Sequence, residues 1–319
     1  PVYKKMHMRP TTLLRISVIA MGVLNLMPWA GPTMRAATVL GIEAGSLWQT
    51  ILPIQACGIV LALAVAVLNG IIEQKRGAGL NGILTQEATH LNSVEEAAAE
   101  AESANNDLAR PKLFVFNIIL TIAVIALLIK DIFPSYVPFM IGVAIAILVN
   151  YPGAKMQKKI INLHSGPALM MCSTLMGAAV LMGILVKDIE GVNSVITCMS
   201  NLISSILPTA LGQHLPLVIG ILSVPLALAF DTDSYFYGML PVMIGIGEGF
   251  GVGAMPIAVA MVVCRNCATF ISPMVPATLL GVGLADVDIK DHIKNSFLWV
   301  WAFSIICMFI GVIVGIIPL

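Results

Sequence analysis

Residues 31–41 read "GPTMRAATVLG" and residues 272–281 read "SPMVPATLLG". Both run small residue, proline, three or four further residues, Ala-Thr, an apolar pair, glycine. Each lies midway along an apolar segment interrupted by Pro, Gly and polar residues, over 10–42 and 254–284. A short acidic turn follows each, with Glu43 in the first and Asp286 and Asp288 in the second, and then a long apolar run. Proline removes a helical hydrogen bond, and inside a membrane the freed groups are tolerated only where protein or a cavity receives them. The two stretches therefore predict two broken helices.

The surrounding composition places those helices in a bilayer. Of 319 residues, 58% are apolar and 11% charged, with a mean hydropathy of +0.96, far from the balance of a water-soluble domain. The chain reads as an all-α polytopic membrane protein. Its formal net charge is zero, so no basic face invites nucleic acid, and the lipid bilayer is its first partner. Further apolar runs over 47–72, 112–130, 134–150, 165–187 and 293–318 approach the roughly 20 residues that cross about 30 Å of hydrocarbon. The polar, acidic stretch 73–111 is expected to be a linker with some helix, and "NYPGAKMQKKIINLH", 150–164, a second polar connection. The six cysteines are scattered through apolar segments and read as unpaired small hydrophobes. Cys264 and Cys267 form a C-x-x-C with no second pair to make a metal site.

Basic residues set orientation. Lys4, Lys5, Arg9, Lys75, Arg76, Arg110, Lys112, Lys155, Lys158, Lys159, Lys290 and Lys294 fall on one side if the spans alternate, and Lys130 and Lys187 on the other. The expected arrangement puts the linker in the cytoplasm and the carboxyl terminus outside, with the chain in a cytoplasmic (inner) membrane. The parity requires 213–250 to enter and leave by one face. Its arms, 215–229 and 237–247, flank "FDTD" at 230–233 and are short enough for a re-entrant hairpin. Two short spans with an ordinary loop have the same parity.

The first broken helix then runs inside to outside and the second outside to inside. An inverted-topology repeat with broken helices is the mark of a secondary transporter whose site lies at the midplane. Residues 1–72 are the end of the first repeat, with 112–319 as the second. Pro32 and Pro273 are expected as first helical residues after Gly31 and Ser272 as caps, which would leave unpaired N–H groups facing an anion. Thr33, Thr269 and Ser272 add hydroxyls, and Arg35, Arg265 and Asn266 add donors. An intramembrane charge usually faces a cavity or a partner; Arg35 has snorkelling to the interface as its alternative, and Arg265 an ion pair with Asp231 or Asp233. His164, His214 and His292 read as solvated or capping residues, and Glu248 as exposed to water.

The hairpin tip "FDTDSYFYG" (230–238), "MPWAGPTMRAATVLG" (27–41) and "CRNCATFISPMVPATLLGVGLADVDIKDHIKNSF" (264–297) resemble the citrate-metal:proton symporter family, a branch of the ion transporter superfamily, over essentially the whole chain. The resemblance implies proton-driven uptake of citrate complexed with a divalent cation of the magnesium or calcium class. That cation is cargo; no tightly bound cofactor is expected. Asp231, Thr232, Asp233 and Ser234 would form the outer tip, with Asp231 and Asp233 serving metal or proton coupling. Gly31, Pro32, Thr33, Asn266, Thr269, Ser272 and Pro273 would form the breaks. Family members carry a further aspartate-rich tip before the first broken helix, of which "PVYKK" would be the trailing end, so the natural start is expected upstream. A homodimer is one candidate assembly. The alternatives are a sodium- or proton-coupled carrier of another carboxylate or inorganic anion, an intramembrane enzyme using paired aspartates, and a channel.

Overall fold

A computed structural model of the chain describes residues 3, 7–78, 110–130, 133–134, 136–186 and 193–318. Most of the linker expected over 73–111 lies outside them. Among the described residues all regular structure is helical: α1 (Pro10–Leu24), α2 (Gly31–Leu40), α3 (Ala44–Lys75), α4 (Phe114–Lys130), α5 (Tyr136–Asn150), α6 (Ala154–Val186), α7 (Val195–Ile206), α8 (Thr209–Gln213), α9 (Leu215–Ala229), α10 (Leu240–Gly249), α11 (Ala254–Ala268), α12 (Pro276–Ala285) and α13 (Ile289–Ile313). Four stretches, Ala44–Lys75, Pro111–Ile129, Ala254–Ile271 and Ile289–Ile313, are long and apolar enough to cross a bilayer. The protein is an all-α, multi-pass membrane protein.

The chain divides into two compact units, one of residues 1–7 and 78–173, the other of 8–77 and 174–319. In the first, α4 packs on α5. Asn117 and Asn150 exchange amide hydrogen bonds of 2.9 and 2.8 Å there, so two polar side chains satisfy each other on apolar helices.

The second unit is built around α11, in which every residue from Ile257 to Ala268 is buried. Helices α9, α13, α1, α10 and α2 all pack against it. Small residues set these approaches. A Cβ on Gly22 of α1 would lie 2.9 Å from Cys267 Cα and 3.0 Å from the Asn266 carbonyl oxygen, so the two broken helices cross backbone to backbone. All six cysteines are free, and Cys264, Cys267 and Cys307 are buried as packing residues.

Both interrupted segments are broken. Helix α1 ends at Leu24 and α2 begins at Gly31; α11 passes through a 3₁₀ turn, Thr269–Ile271, and α12 begins at Pro276. The caps differ from those expected. Ala30 precedes α2, Gly31 is its first residue and Pro32 its second. Pro273 lies outside α12, whose first residue is Pro276; the Ser272 hydroxyl instead accepts from the Met274 amide at 3.3 Å. The segments that follow the breaks end alike. The 10-residue helices α2 and α12 close on Gly41 (φ 66°) and Asp286 (φ 54°) in the left-handed region. Ile42 N then bonds to Ala37 O, and Val287 N to Val282 O, the hydrogen-bond pattern of a Schellman cap. Glu43 and Asp288 precede the long helices α3 and α13.

Three elements extend beyond what the apolar runs suggest. Helix α3 is 32 residues, about 48 Å at 1.5 Å per residue, so its last turns outrun a hydrocarbon core. Helix α6 begins at Ala154, inside the stretch read as a polar connection. Helix α7 was not anticipated at all: it has 12 residues, is capped by Ser194 accepting from Thr197 N, and packs on α10.

Candidate functional site

Helix α9 ends at Ala229, and Phe230 to Asp233 turn the chain into a π-helical stretch, Ser234–Met239, that continues as α10. The Asp231 carboxylate caps this turn: it accepts from the Asp233 amide at 3.1 Å and from the Ser234 amide at 3.4 Å. Capping by aspartate satisfies amides that the first turn of a helix leaves free. Asp231 is thereby held in place while staying part-exposed. Thr232 is part-buried and Ser234 exposed beside it.

Asp233 faces the first broken helix. Its Oδ1 accepts from Arg35 Nε at 2.5 Å, and the side chains are 42% and 16% exposed. Arg35 therefore pairs with the hairpin tip, and neither snorkelling nor an Asp233–Arg265 pair describes it. The guanidinium lies over Gly31, where a Cβ would be 2.4 Å from Arg35 Nη1. Glycine at 31 is what lets the arginine fold back along its own helix toward Asp233.

Arg265 sits at the second break and is fully buried. It donates to the Phe230 carbonyl at 3.3 Å and to the Thr269 hydroxyl at 3.4 Å, and its guanidinium lies 5.8 Å from the Tyr235 ring centroid. Among the described residues no carboxylate pairs with it, although Asp231 is close enough for its charge to act on it. The Nε of Arg265 has no partner. Asn266 accepts from Asn25 Nδ2 at 2.8 Å, which ties the first break to the second.

The sequence-predicted residues thus come together around three elements. Arg35 and Asp233 join the first broken helix to the tip; Arg265 joins the second to the tip through Phe230; Asn25 and Asn266 join the two breaks. Thr33 and Ser272 are fully buried, and Thr269 nearly so. Pro273 forms part of the second break without starting a helix. Among the described residues, the buried polar side-chain atoms without partners are Arg265 Nε, Asn266 Nδ2, Thr33 Oγ1 and Tyr237 Oη, all belonging to the tip or the breaks, together with Arg15 Nε. Buried polar groups are nearly always hydrogen-bonded, so these four atoms of the tip and the breaks are open to a ligand or to water.

Two residues at this site escaped the sequence reading. Asn25 sits outside the repeated letters, and its signal was its position just before "LMPWAGP". Tyr237 lies in the quoted tip, but an aromatic in an apolar run reads first as packing. A pocket of about 690 Å³ opens beside the tip, lined on its polar side by Asp233, Ser234 and Tyr237 and elsewhere by residues such as Met199, Met239 and Met243. Ligand pockets commonly have this size and this pairing of an apolar wall with a few polar groups. His214 and Glu248 are exposed. Among the described residues no group of three or more His, Cys, Asp or Glu side chains is placed to hold a metal ion.

No family model matches the chain, and no solved structure does. Among curated proteins it is 33% identical, over 99% of its length and 70% of the relative's, to a citrate transporter of Bacillus subtilis. It is 34% identical, over its whole length and 70% of the relative's, to a Mg(2+)/citrate complex secondary transporter of the same organism. A third relative there, 29% identical over the whole chain and 71% of its own length, is an uncharacterized transporter, YraO. With two such relatives above 30% identity and covered over more than two thirds of their length, the chain is a transporter rather than an enzyme and belongs to the citrate-metal:proton symporter family.

Proposed function

We propose that the protein is a secondary active transporter that carries citrate as a complex with a divalent metal ion, in symport with protons. The observation that carries the reading is Arg265, a cation held at full burial beside the hairpin tip with no carboxylate partner among the described residues. A buried unpaired charge is costly, and an anionic cargo offsets that cost. The relatives named for citrate and for the Mg(2+)/citrate complex support the identity of that anion.

The chemistry follows from the residues. A hard divalent cation prefers oxygen ligands and keeps open positions when citrate occupies the rest. Asp231 and Asp233 offer such oxygens at the tip. Arg35 and Asp233 neutralise each other without cargo; a metal-citrate complex presents a carboxylate to Arg35 and a cation to Asp233, so one ion pair is exchanged for two. In the alternative assignment Asp231 faces the metal, and a proton takes the metal's place on Asp233 and so frees Arg35 for a citrate carboxylate, which is a route for coupling. Thr33, Thr232, Ser234, Thr269 and Ser272 supply hydroxyls, and Asn266 an amide. The distribution of lysines and arginines supports a cytoplasmic linker, an outward carboxyl terminus and an inner-membrane location.

The test is uptake of labelled citrate into proteoliposomes under an imposed pH gradient, with magnesium, calcium or zinc, or with EDTA. Uptake should need both a divalent ion and the inward proton gradient. Uptake indifferent to EDTA would refute the metal complex, and uptake indifferent to an uncoupler would refute proton symport.

A further inference from the structure

Each break takes the i+4 amide away from a backbone carbonyl, Val23 O at the first and Phe270 O at the second, and the long helix after next, α3 or α13, reaches back to that carbonyl. At the second break Pro273 has no N–H, so it cannot donate to Phe270 O as the i+3 residue. The i+4 amide, Met274 N, is diverted to the Ser272 hydroxyl. The Phe270 carbonyl instead faces His292 Nε2 of α13 at 3.1 Å. A carbonyl only accepts, so Nε2 carries the proton, and Nδ1 is left to face the Ser296 hydroxyl at 3.4 Å. At the first break the Val23 carbonyl keeps a backbone bond from Leu26 N at 3.2 Å, and Gln55 of α3 adds a second donor at 3.1 Å, while the Gln55 side-chain oxygen accepts from Trp48 Nε1 at 2.8 Å. Both side chains are almost wholly buried, Gln55 at 2% and His292 at 1% exposure.

We propose that Gln55 and His292 are positioning residues for transport, holding the two breaks in the conformation that binds the cargo. Their hydrogen bonds go to Trp48, Val23, Phe270 and Ser296, and not to the tip. Each fixes the carbonyl direction on the near side of a break, and with it the course of the chain toward Gly31 in one case and Ser272 in the other. Helix α13 has the same part elsewhere: Pro225 of α9 withdraws the amide partner of Ile221 O, and Trp301 Nε1 donates to that carbonyl at 2.8 Å. Broken helices are thus stabilised in this fold by donors on packed neighbours. The inference rests on the breaks forming the cargo site.

The test compares His292→Leu and Gln55→Leu, which remove the donor, with His292→Gln and Gln55→His, which keep one. Hydrogen exchange of the purified protein reads the breaks without any substrate. His292→Leu should speed exchange at least about tenfold over 271–277 and Gln55→Leu over 25–31, with the rest of the protein unchanged and the donor-keeping variants like wild type. In uptake assays both leucine variants should raise the KM for Mg-citrate with a smaller change in maximal rate: about tenfold for His292→Leu, which leaves the Phe270 carbonyl without a donor, and less for Gln55→Leu, because the Val23 carbonyl keeps Leu26 N. Unchanged local exchange, or exchange that rises uniformly across the protein, overturns the proposal. So does a wild-type KM in both leucine variants. Should a leucine variant not fold, Gln55→Glu, which keeps shape but sets an oxygen against the Val23 carbonyl, carries the same expectations. If wild type takes up no Mg-citrate, the cargo reading fails and the exchange result still decides the positioning role.

Discussion

At the residue scale the tip aspartates divide their work. Asp233 is an ion-pair partner, through Arg35, and Asp231 a cap on backbone amides. Asparagine caps a helix about as well as aspartate, so Asp231→Asn should keep the protein folded and isolate the loss of charge, whereas Asp231→Ala should also cost about 1 kcal/mol of stability. Asp233→Asn leaves Arg35 without its counter-ion and should abolish proton-driven citrate uptake while membrane abundance stays normal. Uptake in vesicles against immunoblot signal checks both, and normal uptake by both asparagine variants would remove the aspartates from the mechanism. Gly31 gives a subtler probe: a methyl there meets Arg35 Nη1, the far end of a flexible side chain. Gly31→Ala should therefore fold normally and raise the KM for citrate, by moving Arg35 off Asp233.

Elements were legible where apolar period and helix punctuation agree, and less so where they compete. Prolines and polar residues within 10–42 and 254–284 located both breaks, and the first arm expected before "FDTD", 215–229, is α9 end to end. The repeated letters were less faithful to position. Gly41 closes α2, but its counterpart by letter, Gly281, lies inside α12, and the residue in Gly41's role is Asp286, five further on. Asp tolerates the left-handed conformation through local hydrogen bonding, so geometry is kept while the letter changes. Helix α7 was missed because 12 residues are too few for a span and its partner, α10, is remote in sequence. Gly22 is the element-scale counterpart of the breaks: its missing side chain sets how closely α1 crosses α11. Gly22→Val has backbone, not a flexible side chain, to displace, so it should lower both abundance and uptake. A variant with wild-type levels of both would show that the crossing can widen without loss.

Across the larger unit, the charge that sequence left in solvent turns out to be internal. Glu73 was read as the first residue of a polar linker, but α3 continues to Lys75 and its Glu73 side chain is 1% exposed. It accepts from Arg9 Nε at 2.8 Å and from the Thr12 hydroxyl at 2.7 Å. One turn earlier Asn69 accepts from Arg15 at 3.0 Å, and Arg15 stacks 5.1 Å from the Trp299 ring centroid on α13. The network pins the start of α1 to the end of α3 and to α13. No period or motif announces it, because each member looks like an ordinary interfacial charge until the helices are packed. It stands apart from the break: Arg15 precedes Asn25 by ten residues of helix and turn, about 15 Å along the axis. Removing the Glu73 carboxylate leaves the buried Thr12 hydroxyl without its acceptor, which costs about 1–3 kcal/mol, while Arg9 and Arg76, 41% and 50% exposed, turn to water. Glu73→Ala should therefore lower the Tm of the detergent-purified protein sharply. Glu73→Gln, which keeps an acceptor for Thr12, should lower it less. At a temperature where both remain folded, their KM for citrate should equal that of wild type, since the network holds the frame and not the cargo. A changed KM at unchanged Tm would instead make Glu73 part of the transport pathway.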